Sequence, residues 1–408
     1  MIVTNLPAFS TAALILTLFT AIIVQRARTF DIRVLWPMTA LTIALATAFI
    51  DLYTGILPSF PDQQLYDQLA WNTVLAWNDG QLIPSGYPNL RTQVYATIAA
   101  VVYLFSGRSM FVPVVLNVSI WGVTVCYWLH LGKEAFDIES DFLGILLVLY
   151  PAGIIYSASF LREAVASFFL VLTLTQMYRF CSSFSLRFVV FTFVSFVPLA
   201  LLRPETVPIF LVSGGVVLGF VLTENVPTAV KLTTVIVSGI TAAGLVLLVD
   251  ASGYINPFRV RFLEIKRQNL AEYSYSYLDG LSYDSWVDVF AYLPIRVFYF
   301  QFQPFPWNPA NYHLTFATLD SSFAIVVTIF AVIGAIRYRH TLSYEQYLFI
   351  LVAVLSIVGY ALVVSTKGAV TRRRLLSMPI LILFASLALP RIKLRLASIR
   401  STEQVHNV

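Results

Sequence analysis

The feature that most constrains this chain is its succession of uninterrupted apolar stretches, each close to the length that crosses a bilayer. A membrane-spanning helix needs about 20 such residues. Candidate spans lie near 9–25, 34–50, 110–130, 142–158, 163–179, 187–202, 206–223, 230–250, 317–336, 346–365 and 374–390, about eleven in all. A water-soluble surface cannot be built around them: 58% of the residues are hydrophobic and 12% charged, against roughly 25% charged in an ordinary soluble domain. The same hydrophobicity excludes disorder. The 32 Phe and 21 Tyr suit lipid-facing helices and interfacial belts. The expected fold is an all-α polytopic membrane protein. Residues 1–408 form a single transmembrane domain of about eleven helices, with further helices lying on its outer face.

The net charge of +5 has to be read by position. The first span has no basic leader and is followed by Arg26, Arg28 and Arg33, so it reads as a retained span and not a cleaved signal. Basic residues in short loops mark the cytoplasmic side. Arg26, Arg28 and Arg33, then Arg179 with Arg187, then Arg337 with Arg339, and the tail with Arg391, Lys393, Arg395 and Arg400 all fall there. The C-terminus is then cytoplasmic, and both long connecting segments, 51–109 and 251–316, lie outside. Residues 93–106 are apolar but short for a crossing, and counting them as one would put the basic clusters on opposite sides. They read as an interfacial helix, as do 289–303.

This topology leaves a group of cations at outer helix ends: Arg162, Arg203, Arg296, Lys367, Arg372, Arg373 and Arg374. Ionisable groups at membrane depth are costly and tend to be functional. A planar guanidinium fork binds phosphate well, so the group suggests an outward-facing anion site. The structural alternatives are snorkelling to lipid headgroups and pairing with neighbouring acids, such as Arg162 with Glu163 and Arg203 with Glu205. The acids gather in the first outer segment, as Asp51, Asp62, Asp67 and Asp79. An amphipathic helix is predicted from Gln63 to Trp77, with Asp62 as its N-cap after Pro61. Asp67 comes five residues after Asp62 and does not stack on it. A lone carboxylate in a wet cleft can still serve as general base.

The second long segment carries Arg259, Arg261, Lys266 and Arg267, then Asp279, Asp284 and Asp288, with tyrosines at 273, 275, 277 and 283. It could stack sugars or simply form an interfacial lid. Cys126 and Cys181 sit in apolar stretches and read as buried free thiols. His130, His313, His340 and His406 are not at metal-ligand spacing. No Gly-rich phosphate loop is present, which argues against nucleotide use.

Three stretches, FPDQQLYDQLAWNTVLAWNDG, LYPAGIIYSASFLREAV and KGAVTRRRLLSMP, taken in that order, resemble the GT-C superfamily of membrane glycosyltransferases. That group includes the protein O-mannosyltransferases and the lipid A aminoarabinose transferases. PIRVFYFQFQPFPW, residues 294–307, is similar to its less characterised members. The resemblance spans about 51–380. It implies transfer of a sugar from a polyprenyl-phosphate or polyprenyl-pyrophosphate donor to a glycan, lipid or protein acceptor on the outer face of a bacterial or archaeal cell membrane, with membrane lipids as surroundings and no nucleic acid partner. It places the catalytic carboxylate on Asp62, gives a second acidic role to Asp67 or leaves it vacant at Gln63, and sets a later outer acid at Glu163. Arg372 and Arg374 match cations that hold the donor phosphate, and Arg162, Arg203, Arg296 and Lys367 complete that set. No cofactor is required, although Asp62 and Asp67 could bind a divalent cation. A polymerase or ligase acting on lipid-linked oligosaccharides would use the same cations. A flippase or transporter would instead show internal repeats and midplane polar groups.

Overall fold

The computed structural model describes residues 6–58, 60–81, 89–138, 141–222, 260–271, 276–278, 280–307 and 312–388. The expected span near 230–250, and Arg259, Tyr273, Tyr275, Asp279, Arg391, Lys393, Arg395, Arg400 and His406, lie outside the described residues, as does the side chain of His313.

Among the described residues the regular structure is helical. The helices are α1 (Leu6–Thr29), α2 (Leu35–Thr54), α3 (Pro61–Asn78), α4 (Leu90–Ser106), α5 (Phe111–Phe136), α6 (Asp141–Val148), α7 (Pro151–Ser157), α8 (Glu163–Ser183), α9 (Leu186–Leu202), α10 (Thr206–Leu222), α11 (Val260–Ala271), α12 (Trp286–Phe302), α13 (Tyr312–Tyr338), α14 (Tyr347–Val363), α15 (Lys367–Arg374) and α16 (Met378–Ala388). Six described helices are long and apolar enough to cross a membrane, within α1, α2, α5, α8, α13 and the α14 region. Leu14 and Leu18 on α1, and Leu186, Val190 and Phe193 on α9, face outward. An apolar exterior of this kind suits hydrocarbon and not water. The chain is a helical membrane protein.

The segment expected as one span at 142–158 is two short helices. Pro151 has no N–H to continue the helix and instead opens α7 at its first position. At the other break, α15 and α16 divide the expected 374–390 span, with Leu375, Leu376 and Ser377 between them.

Helix α5 is the hub. It packs against α1, α2 and α8, and Trp121, Val125 and Trp128 are among its fully buried side chains. Small residues let these helices approach closely, as membrane helices require in the absence of a hydrophobic drive between them. Ala40, Ala44 and Ala48 form one stripe on α2, and a Cβ on Gly122 of α5 would lie 3.1 Å from Leu41 Cβ. Helices α13 and α16 approach backbone to backbone: a Cβ on Gly334 would sit 2.1 Å from the Phe384 carbonyl oxygen. Backbone cannot yield as a side-chain tip can. Gly334→Ala is therefore expected to destabilise the protein by roughly 1–3 kcal/mol through overpacking, read as a lower unfolding midpoint in detergent.

Contacts between distant residues define the two ends of the bundle. At one end Arg33 pairs with Asp141 at 2.5 Å, Lys133 with Asp31 at 2.7 Å and Arg179 with Glu134 at 2.6 Å. At the other end α3 and α4 lie together. Tyr95 and Tyr103 on α4 are separated by about 12 Å of helix, yet both rings reach Phe160. Helix α4 packs on α3 and also contacts α1, α9 and α5. The connection from α2 to α3 is set by Asp51, whose Oδ1 accepts from the Leu57 N–H at 2.7 Å, and by Gly55 in the left-handed region at φ 60°.

Candidate functional site

Four elements meet at the α3–α4 end and deliver an unbroken ladder of ion pairs. The first is the start of α3. The helix begins at Pro61 with Phe60 in the N-cap position, so Asp62 is its second residue and not its cap. A carboxylate there is still favoured by the helix dipole, and its side chain is free to reach out of α3. The second is the turn between α7 and α8, which presents Arg162 and Glu163. Asn117, buried in α5, donates through Nδ2 to the Ser159 carbonyl at 2.9 Å and the Leu161 carbonyl at 2.7 Å. Gln63 accepts from the Phe160 N–H at 3.1 Å. The residue that stands in the second acidic position thus ties this turn to α3.

Arg203 and Glu205 come from the α9–α10 junction. The last contribution is α15. Successive helix residues point about 100° apart, so the run of three arginines fans out to four acids. Arg372 Nη1 donates to Asp62 at 2.5 Å and its Nε to Glu163. Arg373 pairs with Glu205 and lies 5.2 Å over the Tyr360 ring of α14. Arg374 turns inward to Asp320 at 2.8 Å and the Gln301 carbonyl at 2.6 Å. Tyr156 and Thr371, hydrogen-bonded at 2.6 Å, hold α15 against α7. Arg203 closes the ladder by bonding Glu163 and approaching Glu205 at 3.5 Å.

The ladder runs Asp62, Arg372, Glu163, Arg203, Glu205, Arg373. Its exposure is graded: the side chain is 42% exposed at Asp62, 18% at Arg372 and 0% at Glu163. Burial acts against the charged form of Arg372, but the Glu163 and Asp62 carboxylates outweigh it and raise its pKa. Burial likewise works to raise Glu205, and the Arg373 and Arg203 guanidiniums overcome it, holding the carboxyl at about 2.

Arg162 stands apart from this pairing. It is 6% exposed, its Nε has no hydrogen-bond partner, and no ion pair joins it to a described residue. Burial and the like charge of Arg203 push its pKa down to about 10, so it remains a cation at neutral pH. The four guanidiniums of Arg162, Arg203, Arg372 and Arg373 face the three carboxylates of Asp62, Glu163 and Glu205, which leaves an excess of one positive charge among the described residues. Arg372 Nη2 and Arg203 Nε are also buried without partners. Glu163 Oε2 is buried without a partner as well, so this cluster holds three unmet donors against one unmet acceptor. Buried charged donors are costly when they outnumber their acceptors, and an anion would satisfy the remainder.

The other candidates sit elsewhere. Asp67 accepts from Tyr103 at 2.6 Å and from Arg108 at 2.7 Å, so it belongs to the α3–α4 contact. Arg296 is fully buried and donates to the Ala361 and Val364 carbonyls, at 2.8 and 3.1 Å, closing the C-terminus of α14. Lys367 opens α15 and is partly exposed. Asp62 and Asp67 have different partners, Arg372 for the first and Tyr103 with Arg108 for the second. No set of three His, Cys, Asp or Glu side chains suited to a metal occurs among the described residues.

Sequence reasoning did not find Asn117, Gln63, Tyr156 and Thr371 as positioning residues, nor Asp320 as the partner of Arg374. A buried Asn in the apolar run VLNVSIW is the one signal available, since such an amide must find partners. No protein-family model and no curated protein matches the chain.

Proposed function

We propose that this protein is a polytopic membrane glycosyltransferase of GT-C type, with about eleven crossings, which moves a sugar from a polyprenyl-phosphate or polyprenyl-pyrophosphate donor to an acceptor at its outer face. The observation that carries the reading is the surplus guanidinium of Arg162, buried and joined by no ion pair to a described residue, beside Arg372 and the half-exposed Asp62. The basic loops at the opposite bundle end supply the orientation by the positive-inside pattern. An ion cluster at a bundle end also favours transfer over transport, for which a polar site near the midplane is expected.

In this mechanism Arg162 and Arg372 hold the donor phosphate. Glu163, out of reach of water, positions Arg372 and Arg203. An acceptor hydroxyl attacks the anomeric carbon as the bond from that carbon to the phosphate oxygen breaks. The hydroxyl proton passes to Asp62, and the electron pair leaves with the lipid phosphate, whose charge the arginines stabilise as it develops. The sugar passes through an oxocarbenium-like state.

Arg372→Ala removes a phosphate contact while sparing Arg162. It is expected to raise the KM for donor about tenfold or more, the scale of a charge-assisted phosphate contact. The assay is transfer from radiolabelled polyprenyl-phosphate sugars by the full chain in proteoliposomes. An unchanged donor KM, or no transfer by the wild-type chain from any lipid-linked sugar, overturns the reading.

A further inference from the structure

Arg372 serves two acids at once and has capacity left over. Its Nη1 holds Asp62 at 2.5 Å and its Nε holds Glu163. Its Nη2 is buried with no partner, as are Arg162 Nε and Arg203 Nε. These donors belong to a cluster whose outermost acid is Asp62, the most exposed side chain of the ladder. Asp62 already occupies Arg372 Nη1, so an anion that takes both terminal nitrogens of this guanidinium must displace it. Glu163 cannot yield in the same way, since it is fully buried and held by two guanidiniums.

We propose that Asp62 is the resident anion of this site, and that a lipid phosphate competes with it for Arg372 and releases it. This inference rests on the transferase reading above. A guanidinium takes phosphate in a bidentate fork at least as readily as a carboxylate, and phosphate would also satisfy Arg162, which Asp62 does not. While Arg372 holds Asp62 Oδ2, that oxygen is not open to an acceptor hydroxyl. Displacement turns the same side chain outward with this oxygen free. It sits on the second residue of α3, where only its rotamer has to change. Donor binding would then unmask the base, and an acceptor arriving first would find it occupied. The sign of the coupling is the distinctive consequence: the residue that transfer requires is one that phosphate binding must overcome.

The test measures binding of undecaprenyl phosphate to the full-length protein in phosphatidylcholine nanodiscs. Asp62→Asn and Asp62→Ala are each expected to tighten binding roughly fivefold or more, the scale of one part-exposed ion pair. Arg162→Ala is expected to weaken it about tenfold or more. If Arg162→Ala weakens binding while both Asp62 variants bind no tighter than the wild type, the competition is wrong and the anion site stands. If binding is not saturable, or Arg162→Ala leaves it unchanged, the anion site itself falls. Retention of the lipid against millimolar inorganic phosphate supports a lipid-borne ligand, and displacement by equimolar inorganic phosphate removes it.

Discussion

Replacing Asp62 with asparagine is expected to lower sugar transfer by about 10²- to 10⁴-fold, the contribution typical of a positioned general base, and to leave the protein folded. Both halves of that expectation come from the geometry. Asp62 is half-exposed and has one ion-pair partner, Arg372. Asparagine keeps a hydrogen-bond acceptor for that guanidinium and a side chain compatible with the first turn of α3. An exposed pair of this kind contributes little to stability, about 1 kcal/mol or less. Nothing replaces the lost proton acceptor, since Asp67 is committed to Tyr103 and Arg108 and Glu163 is buried. The measurement pairs initial transfer rates in proteoliposomes with the unfolding midpoint. Wild-type rates in a well-folded variant would remove Asp62 as the base.

Glu163→Gln should do the opposite kind of damage. Glu163 is fully buried and its Oε1 receives hydrogen bonds from both Arg203 and Arg372. A neutral amide retains the shape and loses the charge, so two guanidiniums remain where one carboxylate balanced them. Removing one partner of a buried ion pair costs about 3–5 kcal/mol. A marked fall in the unfolding midpoint is expected whether or not a substrate is present. The second variant, Glu163→Gln with Arg203→Leu, removes charge of both signs. Its loss should be smaller than the sum of the two single losses, because the residues share one network. A midpoint unmoved by Glu163→Gln, or strict additivity in the double variant, would show that the ladder does not hold α8, the α9–α10 junction and α15 together.

The helices were largely legible in advance, and the departures have local causes. The amphipathic pattern from Gln63 to Trp77 falls inside the observed Pro61–Asn78 helix. Its start shifted by two residues because Pro61 takes the first helical position, which moves Asp62 inside the helix. The stretch at 142–158 is apolar enough for one span, and only the missing N–H of Pro151 divides it. Apolar content says that a segment belongs in lipid, and backbone donors say where it can be continuous.

The candidate site was legible as a set of residue types near helix ends, because the position of each charge relative to the apolar stretches is a property of the chain alone. Arg162, Arg203, Arg372, Asp62 and Glu163 could be grouped in that way. Their pairing could not. Arg372 and Arg374 are two residues apart in the same short helix, yet one reaches Asp62 and the other Asp320. Arg162 and Glu163 are adjacent, yet Glu163 is doubly paired while no ion pair joins Arg162 to a described residue. Ion-pair energies depend on separations of a few ångströms and on how much water is excluded. Both are set where α3, α8, the α9–α10 junction and α15 pack together. Composition and spacing determined that this chain is a membrane protein with charge gathered at helix ends. Only the packing of distant helices decided which cations pair with which acids among the described residues.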